Sequence, residues 1–447
     1  MRSSELTQLI AAIATAPGRG GVGVVRVSGV GAQQVAQGVI GRIPAQRQAT
    51  LATFRDAKGL AIDSGLALFF KGPHSYTGED VLELQGHGGP VVLSLLLARC
   101  IELGCRLAEP GEFTRRAYLN DKIDLAQAES VADLIEAASA QAARAAVRSL
   151  EGAFSREVYQ LRDDLVTLRM LVEATLDFPE EELDFLKREH AWERLESLRM
   201  VLGAILQRAT QGARLRAGLN VVLVGRPNVG KSSLLNALAG EEVAIVTAIP
   251  GTTRDRIERV ITIEGMPLNL IDTAGLRDSE DMVEQAGMQR TRDAVAKADL
   301  VLRMVVAGEQ TDDTHVGAAL LPGVPHLTVV NKIDATGEAP GVEGEWVRIS
   351  AKTGAGLDVL RAELVRRAGL EGAGEDVILA RTRHLDALRE ASGRVEAAVA
   401  HLQPNCVVLE LFAEELRLAQ EALNRITGEF SADDLLGEIF GRFCIGK

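Results

Sequence analysis

The stretch Gly225-Arg226-Pro227-Asn228-Val229-Gly230-Lys231-Ser232 has the glycines, lysine and hydroxyl of a phosphate-binding loop. It follows an apolar run, Val221 to Val224, and opens a helical one, Ser233 to Ala239. Backbone N–H groups at such a strand-to-helix turn favour anionic oxygens. The Lys231 ammonium supplies a point charge to the β- and γ-phosphates, and the Ser232 hydroxyl is a hard oxygen for Mg²⁺. A bare glycine-rich turn is the alternative, and the strand before and helix after weigh against it. Further on come Pro250-Gly251-Thr252-Thr253 and Asp272-Thr273-Ala274-Gly275, the latter after the apolar run Leu268 to Ile271. One threonine hydroxyl and the Asp272 carboxylate, directly or through water, would complete an oxygen shell around Mg²⁺. Asn331-Lys332-Ile333-Asp334 follows Leu327 to Val330. The Asp334 carboxylate can accept from both N1–H and the 2-amino group of guanine, a pair that adenine lacks, so it rejects ATP. Ser350-Ala351-Lys352 is placed to close over the base.

In this order the five segments resemble the Ras-like GTPase family. One departure stands out. Many Ras-like proteins orient water with a Gln after Asp-Thr-Ala-Gly, but this chain has Leu276, which cannot hydrogen-bond. Glu284 is a candidate for that task; by spacing alone it is equally an exposed acid at a helix start.

The elements that must carry these residues are legible in the texture of the chain. Its 447 residues favour about three domains. Residues 1–118 hold strand-like runs (Val22 to Val27, Gly65 to Phe70, Val81 to Gln85) and a helix, Val91 to Leu103, apolar on all sides and expected to be buried. This predicts an α+β domain. Residues 119–217 and 370–447 are rich in Ala, Leu, Glu and Arg at helical spacing, with an interruption at Pro179. Residues 218–369 alternate strand and helix, adding Leu300 to Val306 and Trp346 to Ile349 to the runs above. The reading is a multidomain fold: an N-terminal α+β domain and a discontinuous all-α helical domain into which an α/β Ras-like P-loop GTPase domain is inserted.

Composition closes off other classes. With 47% hydrophobic and 25% charged residues the chain is globular, and a net charge of −13 opposes a grip on nucleic acid by the whole surface. Cys100, Cys105, Cys406 and Cys444 form neither a disulfide framework nor a zinc motif, and seven scattered histidines give no iron or zinc spacing. A cytoplasmic protein is expected. Leu9 to Ala16 is too short and too poorly flanked for a leader, and no apolar run reaches membrane length. Gly18-Arg19-Gly20-Gly21-Val22-Gly23 spells a dinucleotide fingerprint, but with no strand expected before it and a strand after it, it reads as a turn.

Pro17-Gly18-Arg19-Gly20-Gly21-Val22-Gly23 with Arg26, Tyr76 to Asp80, Leu82 to Pro90, Pro110 to Phe113, Asn120 to Glu129 and the ending Phe443-Cys444-Ile445-Gly446-Lys447 complete the picture. Together with the inserted GTPase domain they resemble the MnmE (TrmE) family of tRNA-modification GTPases along nearly the whole chain. The resemblance implies a dimerising N-terminal domain that binds 5,10-methylene- or 5-formyltetrahydrofolate through Arg26, Glu83, Lys122 and Lys447. Glu83 suits the fused amide and amino groups of a pterin, and the cations suit its glutamate tail.

It further implies K⁺ at Asn228, Thr247, Ile249 and Thr252, Mg²⁺ at Ser232 and Thr253, and Glu284 as the water-orienting acid. Ser233, Ala248, Pro250 and Gly251 fall in the same nucleotide loops. Cys444 is implied to be functional, whereas its chemistry alone also allows an inert terminal thiol; a prenylation box is excluded by Gly446 and Lys447. His87, in a glycine-rich loop, is a further candidate lining residue. The implied activity is GTP-driven modification of C5 of wobble uridine with an FAD-dependent MnmG (GidA)-type partner that supplies much of the tRNA contact. The alternative is a GTP-switched assembly factor, for ribosomes for instance, with no chemistry beyond GTP hydrolysis.

Overall fold

The computed structural model describes residues 8–177, 190–239, 258–263, 265–272, 294–309, 324–368, 376–403, 406–429, 433–441 and 443–446. The chain divides into two compact units: Met1–Ala132 with Leu150–Arg162 and Gln420–Lys447, and Asp133–Ser149 with Asp163–Ala419.

The first unit is built on β1 (Ile10–Ile13), β2 (Gly20–Ser28), β3 (Thr50–Arg55), β4 (Ala61–Phe70), β5 (Val81–Gly88) and β6 (Arg106–Leu107), in the sheet order β3-β4-β5-β2-β1-β6. Neighbours are antiparallel except β1 and β6. Alternation along the strands sends Val25, Val27, Leu82, Leu84, Ala67 and Phe69 into one core with residues of α1 (Ala32–Ile40) and α2 (Pro90–Glu102). The same alternation leaves Arg26 and Glu83 on the other face, and the β2–β5 register sets them directly opposite each other.

Two expectations need correction. Helix α2 is buried only along Leu93, Leu96 and Cys100, while Val91 and Leu95 are 73% and 53% exposed. A helix lying on one sheet face has a single side to bury, so apolarity all around leaves apolar surface outside. The glycine-rich segment is preceded by a strand, β1, and Gly20 to Gly23 belong to β2 itself rather than to a turn. Close packing explains the glycine at 23, since a Cβ there would meet Leu93 at 2.7 Å and the Gly88 Cα at 2.9 Å. No helix follows, and the dinucleotide reading stays rejected.

Helices α3 (Glu112–Leu119), α4 (Leu125–Glu136), α5 (Ala140–Leu150), α6 (Ala153–Asp177) and α7 (Ala191–Ala217) follow. On α7, Leu195, Leu198, Leu202, Ile205, Ala209, Gly212 and Leu215 recur at three- and four-residue steps and are buried, as one stripe of a helix must be. The break expected at Pro179 lies outside the described residues.

In the second unit β7 (Leu219–Val224), α8 (Lys231–Ala239), β8 (Glu258–Ile263), β9 (Met266–Asp272), β10 (Leu300–Val306), β11 (His326–Asn331), α9 (Ile333–Thr336), β12 (Gly341–Glu343), β13 (Trp346–Arg348) and α10 (Leu357–Arg367) follow one another along the chain. Their sheet has the order β12-β13-β11-β10-β7-β9-β8, parallel from β13 through β9 with antiparallel edges. Buried Val221, Leu223, Leu302, Leu327 and Val329 on one face and Val222, Val224 and Val301 on the other make its central strands near-continuous apolar runs, as burial on both faces requires.

Beyond it α11 (Thr382–His401), a short β14–β15 hairpin (Leu402–Gln403 and Cys406–Val407), α12 (Leu409–Thr427) and α13 (Asp433–Gly441) complete the chain. Asp133, its side chain 3% exposed, accepts from Arg216 at 2.7 Å and Arg381 at 2.8 Å, joining residues from before and after the α/β sheet. Among the described residues no helix is long and apolar enough to cross a membrane.

Candidate functional site

At the end of β7 the loop 225–230 curls through two left-handed residues, Asn228 (φ 64°) and Gly230 (φ 97°), before α8 begins at Lys231. Gly230 is obligatory on two counts: its φ, and the 2.3 Å at which a Cβ would meet the Asn331 amide nitrogen. Lys231 is buried, and its Nζ donates to the carbonyls of Gly225 (2.8 Å) and Arg226 (3.0 Å), which holds the ammonium inside the curl. Ser232 and Ser233 are exposed on the first turn of α8, where the helix dipole favours anions.

The base-recognition segments brace this loop. Asn331 Nδ2 donates to the Val229 carbonyl at 2.9 Å while its Oδ1 accepts from the Ala351 N–H at 2.9 Å. Lys332, itself left-handed, donates from Nζ to the Asn228 carbonyl at 2.8 Å. Asp334 accepts from Ser350 Oγ at 2.7 Å, and that bond, with Lys352 and Lys332 nearby, holds its carboxyl below the usual range. The Asp334 carboxylate is therefore ionised, exposed and aimed by Ser350, as an acceptor for two guanine donors must be. Val229, Gly230, Lys231, Asn331, Lys332, Asp334, Ser350 and Ala351 thus form one connected constellation.

Asp272 ends β9, with its backbone in register with Leu223. Thr247, Ala248, Ile249, Pro250, Gly251, Thr252, Thr253, Thr273, Ala274, Gly275, Leu276 and Glu284 lie outside the described residues, as does Lys447. For Mg²⁺ the described donor is the exposed Ser232 hydroxyl, a hard oxygen beside the lysine, which fits that ion. For K⁺ it is Asn228, whose exposed side-chain amide oxygen on a left-handed turn also fits.

A second constellation sits on the face of the first unit's sheet opposite α1 and α2, where Phe113 of α3 packs on Ile10 and Ala12. Arg26 and Glu83 pair at 2.9 Å, and the Arg26 guanidinium lies 6.0 Å from the Tyr76 ring centre and 5.7 Å from that of Phe113. Arg26 Nη1 also donates to the Gly446 carbonyl at 3.4 Å. The C-terminal tail is pinned beside it by a bridge between Pro110 and Ile445 and by the Gly111 N–H on the Cys444 carbonyl. Phe443 is buried, while Cys444 is exposed.

Lys122 reaches the β4–β5 loop that carries Tyr76, donating from Nζ to the Pro73 carbonyl at 3.0 Å. A carboxylate, a guanidinium and two aromatic rings suit a flat heterocycle with fused amide and amine groups, so these residues fit a pterin. Tyr76 and Phe113 carried no assigned role in the sequence reading, although both lie in segments singled out there. Burial pushes the Tyr76 hydroxyl above its usual range, opposed by its bond to Thr114 and by Arg26.

His87 is oriented rather than loose: its Nδ1 lies 2.8 Å from Asp63 Oδ1 and its backbone N–H donates to Asp63 Oδ2 at 2.7 Å. Burial raises the Asp63 carboxyl, but the bonds from His87 and Ser64 outweigh it and leave it lowered. Cys100 and Cys105 are buried free thiols; burial pushes Cys105 up to about 12 and Cys100 further. Neither is a nucleophile at neutral pH.

Known proteins share both constellations' scaffolds. Residues 125–444 match the family model "MnmE helical domain", and residues 9–122 match "GTP-binding protein TrmE N-terminus". A tRNA modification GTPase MnmE of Azoarcus sp. (strain BH72) is 62% identical, covering 98% of each chain. The chain belongs to the MnmE family. The proteins of the same name from Aromatoleum aromaticum and Neisseria meningitidis are 59% and 57% identical over 99% of this chain and 99% and 100% of theirs. MnmE membership therefore spans the N-terminal sheet, the helices and the GTPase sheet together.

Proposed function

We propose that the protein is a K⁺-stimulated GTPase that acts as a homodimer with an FAD-dependent MnmG-type partner on certain tRNAs. The pair would add a carboxymethylaminomethyl or aminomethyl group to C5 of the wobble uridine, using a tetrahydrofolate one-carbon unit. GTP hydrolysis in tRNA modification is the coarser function that family membership carries. The finer reading is supported above all by the presence, in one chain, of a guanine-nucleotide constellation and an Arg26–Glu83 pair flanked by two rings. A pure GTP switch has no use for the second.

In this reading Lys231 and the loop amides bind the phosphates, Ser232 and Thr253 hold Mg²⁺, and Asn228, Thr247, Ile249 and Thr252 hold K⁺. When bound, the two cations neutralise phosphate charge and the folate supplies the carbon unit. Glu284 orients the attacking water that Leu276 cannot. Glu83 accepts the pterin donors, and Arg26, Lys122 and Lys447 supply positive charge. Dimerisation is supported by the β3–β4 end of this sheet face, where Leu51, in register with Leu66, is 70% exposed and Leu66, opposite Gln85, is 39% exposed.

The test is mass spectrometry of digested tRNA from cells lacking the protein, complemented by wild type, Lys231→Ala and Cys444→Ser. Loss of C5-modified wobble uridine restored only by wild type is expected. An unchanged profile with no redundant route would favour the assembly-factor reading. Hydrolysis is also expected to be faster in KCl than in NaCl at matched ionic strength, and equal rates would remove the K⁺ assignment.

A further inference from the structure

Beside the residues around Arg26 runs a chain of alternating charges, buried at Arg116 and Glu112, that none of the roles above uses. Arg116, 2% exposed on α3, donates from Nη1 to both Glu79 oxygens (2.9 and 3.1 Å) and from Nη2 to Glu112 Oε1 at 2.9 Å. Arg106 closes the other end on Glu112, and Ser28 Oγ donates to Glu79 Oε2 at 2.7 Å. The order is Arg106, Glu112, Arg116, Glu79: two cations and two anions, neutral in sum. Burial raises the Glu112 carboxyl, but the Arg106 bonds, the Glu109 N–H and Arg116 outweigh it and keep it ionised.

This chain ties together the two segments that flank Arg26. Glu79 belongs to the loop carrying Tyr76, and Arg116 to the helix carrying Phe113. Tyr76 Oη and Thr114 Oγ1 meet at 2.8 Å, two residues from Arg116, and make the second tie between loop and helix. The spacing of the two rings about the Arg26 guanidinium is thus set by groups that do not touch it.

We propose that Arg116, through Glu79, is a positioning residue for the folate site: it fixes the Tyr76 loop against α3 so that Arg26 is held between two rings and opposite Glu83. The inference rests on the folate reading above. Desolvated partners in fixed geometry make it sensitive to shape as well as charge, so Arg116→Lys, which keeps the charge but loses the fork, is informative.

The full-length protein, as wild type, Arg116→Lys, Glu79→Gln and Thr114→Val, is titrated calorimetrically with 5-formyltetrahydrofolate. The first two variants are expected to raise Kd about tenfold or more at unchanged stoichiometry, and Thr114→Val to raise it several-fold. A merely structural role would lower the fraction of competent protein and leave Kd alone, and that result overturns the proposal, as does an unchanged titration. Should Arg116→Lys not fold, Glu79→Gln and Thr114→Val decide by the same criterion. Failure of wild type to bind would instead remove the folate reading and this inference with it, whereas wild-type binding with unaltered variants removes the positioning role alone.

Discussion

Asp334 and Arg26 show how single side chains acquire function from their neighbours. Asp334 is aimed by Ser350 Oγ at 2.7 Å and kept ionised by that bond. Replacing it by Asn turns one acceptor into a donor, which clashes with the guanine amino group and complements a carbonyl at that position of xanthine. In Asp334→Asn the KM for GTP is expected to rise roughly 100-fold and xanthosine triphosphate to become a substrate. Steady-state hydrolysis of both nucleotides checks it, and undiminished GTP preference would show that the base is read elsewhere. Arg26 is tied at once to Glu83 and to the Gly446 carbonyl, so the tail that carries Cys444 is anchored to the residue assigned to the pterin.

At the scale of elements, α10 and the C-terminal tail are fastened by different means. Near the end of α10, Glu363 accepts from Arg366 (2.7 Å) and Arg367 (2.6 Å), and these bonds bring its carboxyl to about 2. Its ordinary value is 4.5. A depressed carboxyl stabilises the fold above the ordinary value and loses that contribution as pH falls toward the folded one. The second unit should therefore lose on the order of 2 kcal/mol between about pH 4.5 and pH 2, discounted for solvent at Arg366, and Glu363→Gln should flatten that limb in denaturant titrations.

The tail instead depends on shape. A Cβ on Gly446 would meet the Ile13 carbonyl at 2.4 Å, at a φ of 97° that side chains avoid. Gly446→Ala is expected to dislodge residues 444–446 and to raise the rate of Cys444 alkylation several-fold, with native-like circular dichroism. An unaltered alkylation rate would mean that the tail is held elsewhere.

For the whole molecule, the chain's end folds with its beginning. Phe443 packs on Phe440 at 5.6 Å between ring centres, in a cluster with Leu125, Ala128 and Leu436 within the first unit. Phe443→Ala should cost about 3 kcal/mol and lower the thermal transition of the first unit. GTP hydrolysis by the second unit should persist below that transition. Scanning calorimetry read beside a GTPase assay distinguishes this from a general loss of fold.

How much of this was legible beforehand follows from the range of the forces involved. The phosphate loop, the guanine motif and the parallel strands are local patterns: spacing within a dozen residues determines a strand, a turn with positive φ and a helix start, so these could be read directly. Resemblance alone pointed to Arg26 and Glu83; pattern by itself saw two polar residues on strands 57 positions apart. Their pairing is a matter of β2–β5 register, which only the packed sheet decides.

Helix α1 and the short strands β1, β3 and β6 went unnoticed because their signals are brief. Helix α2 was expected to be wholly buried because apolarity does not reveal how many sides a neighbour will cover. The Glu112–Arg116–Glu79 chain joins residues that look like ordinary surface charges in sequence. Burying them is tolerable only where all partners arrive together with complementary geometry. Local periodicity and motif chemistry thus determined the kinds of elements and the nucleotide chemistry, while the tertiary structure alone decided which distant charges meet, because desolvation and register act only on the assembled chain.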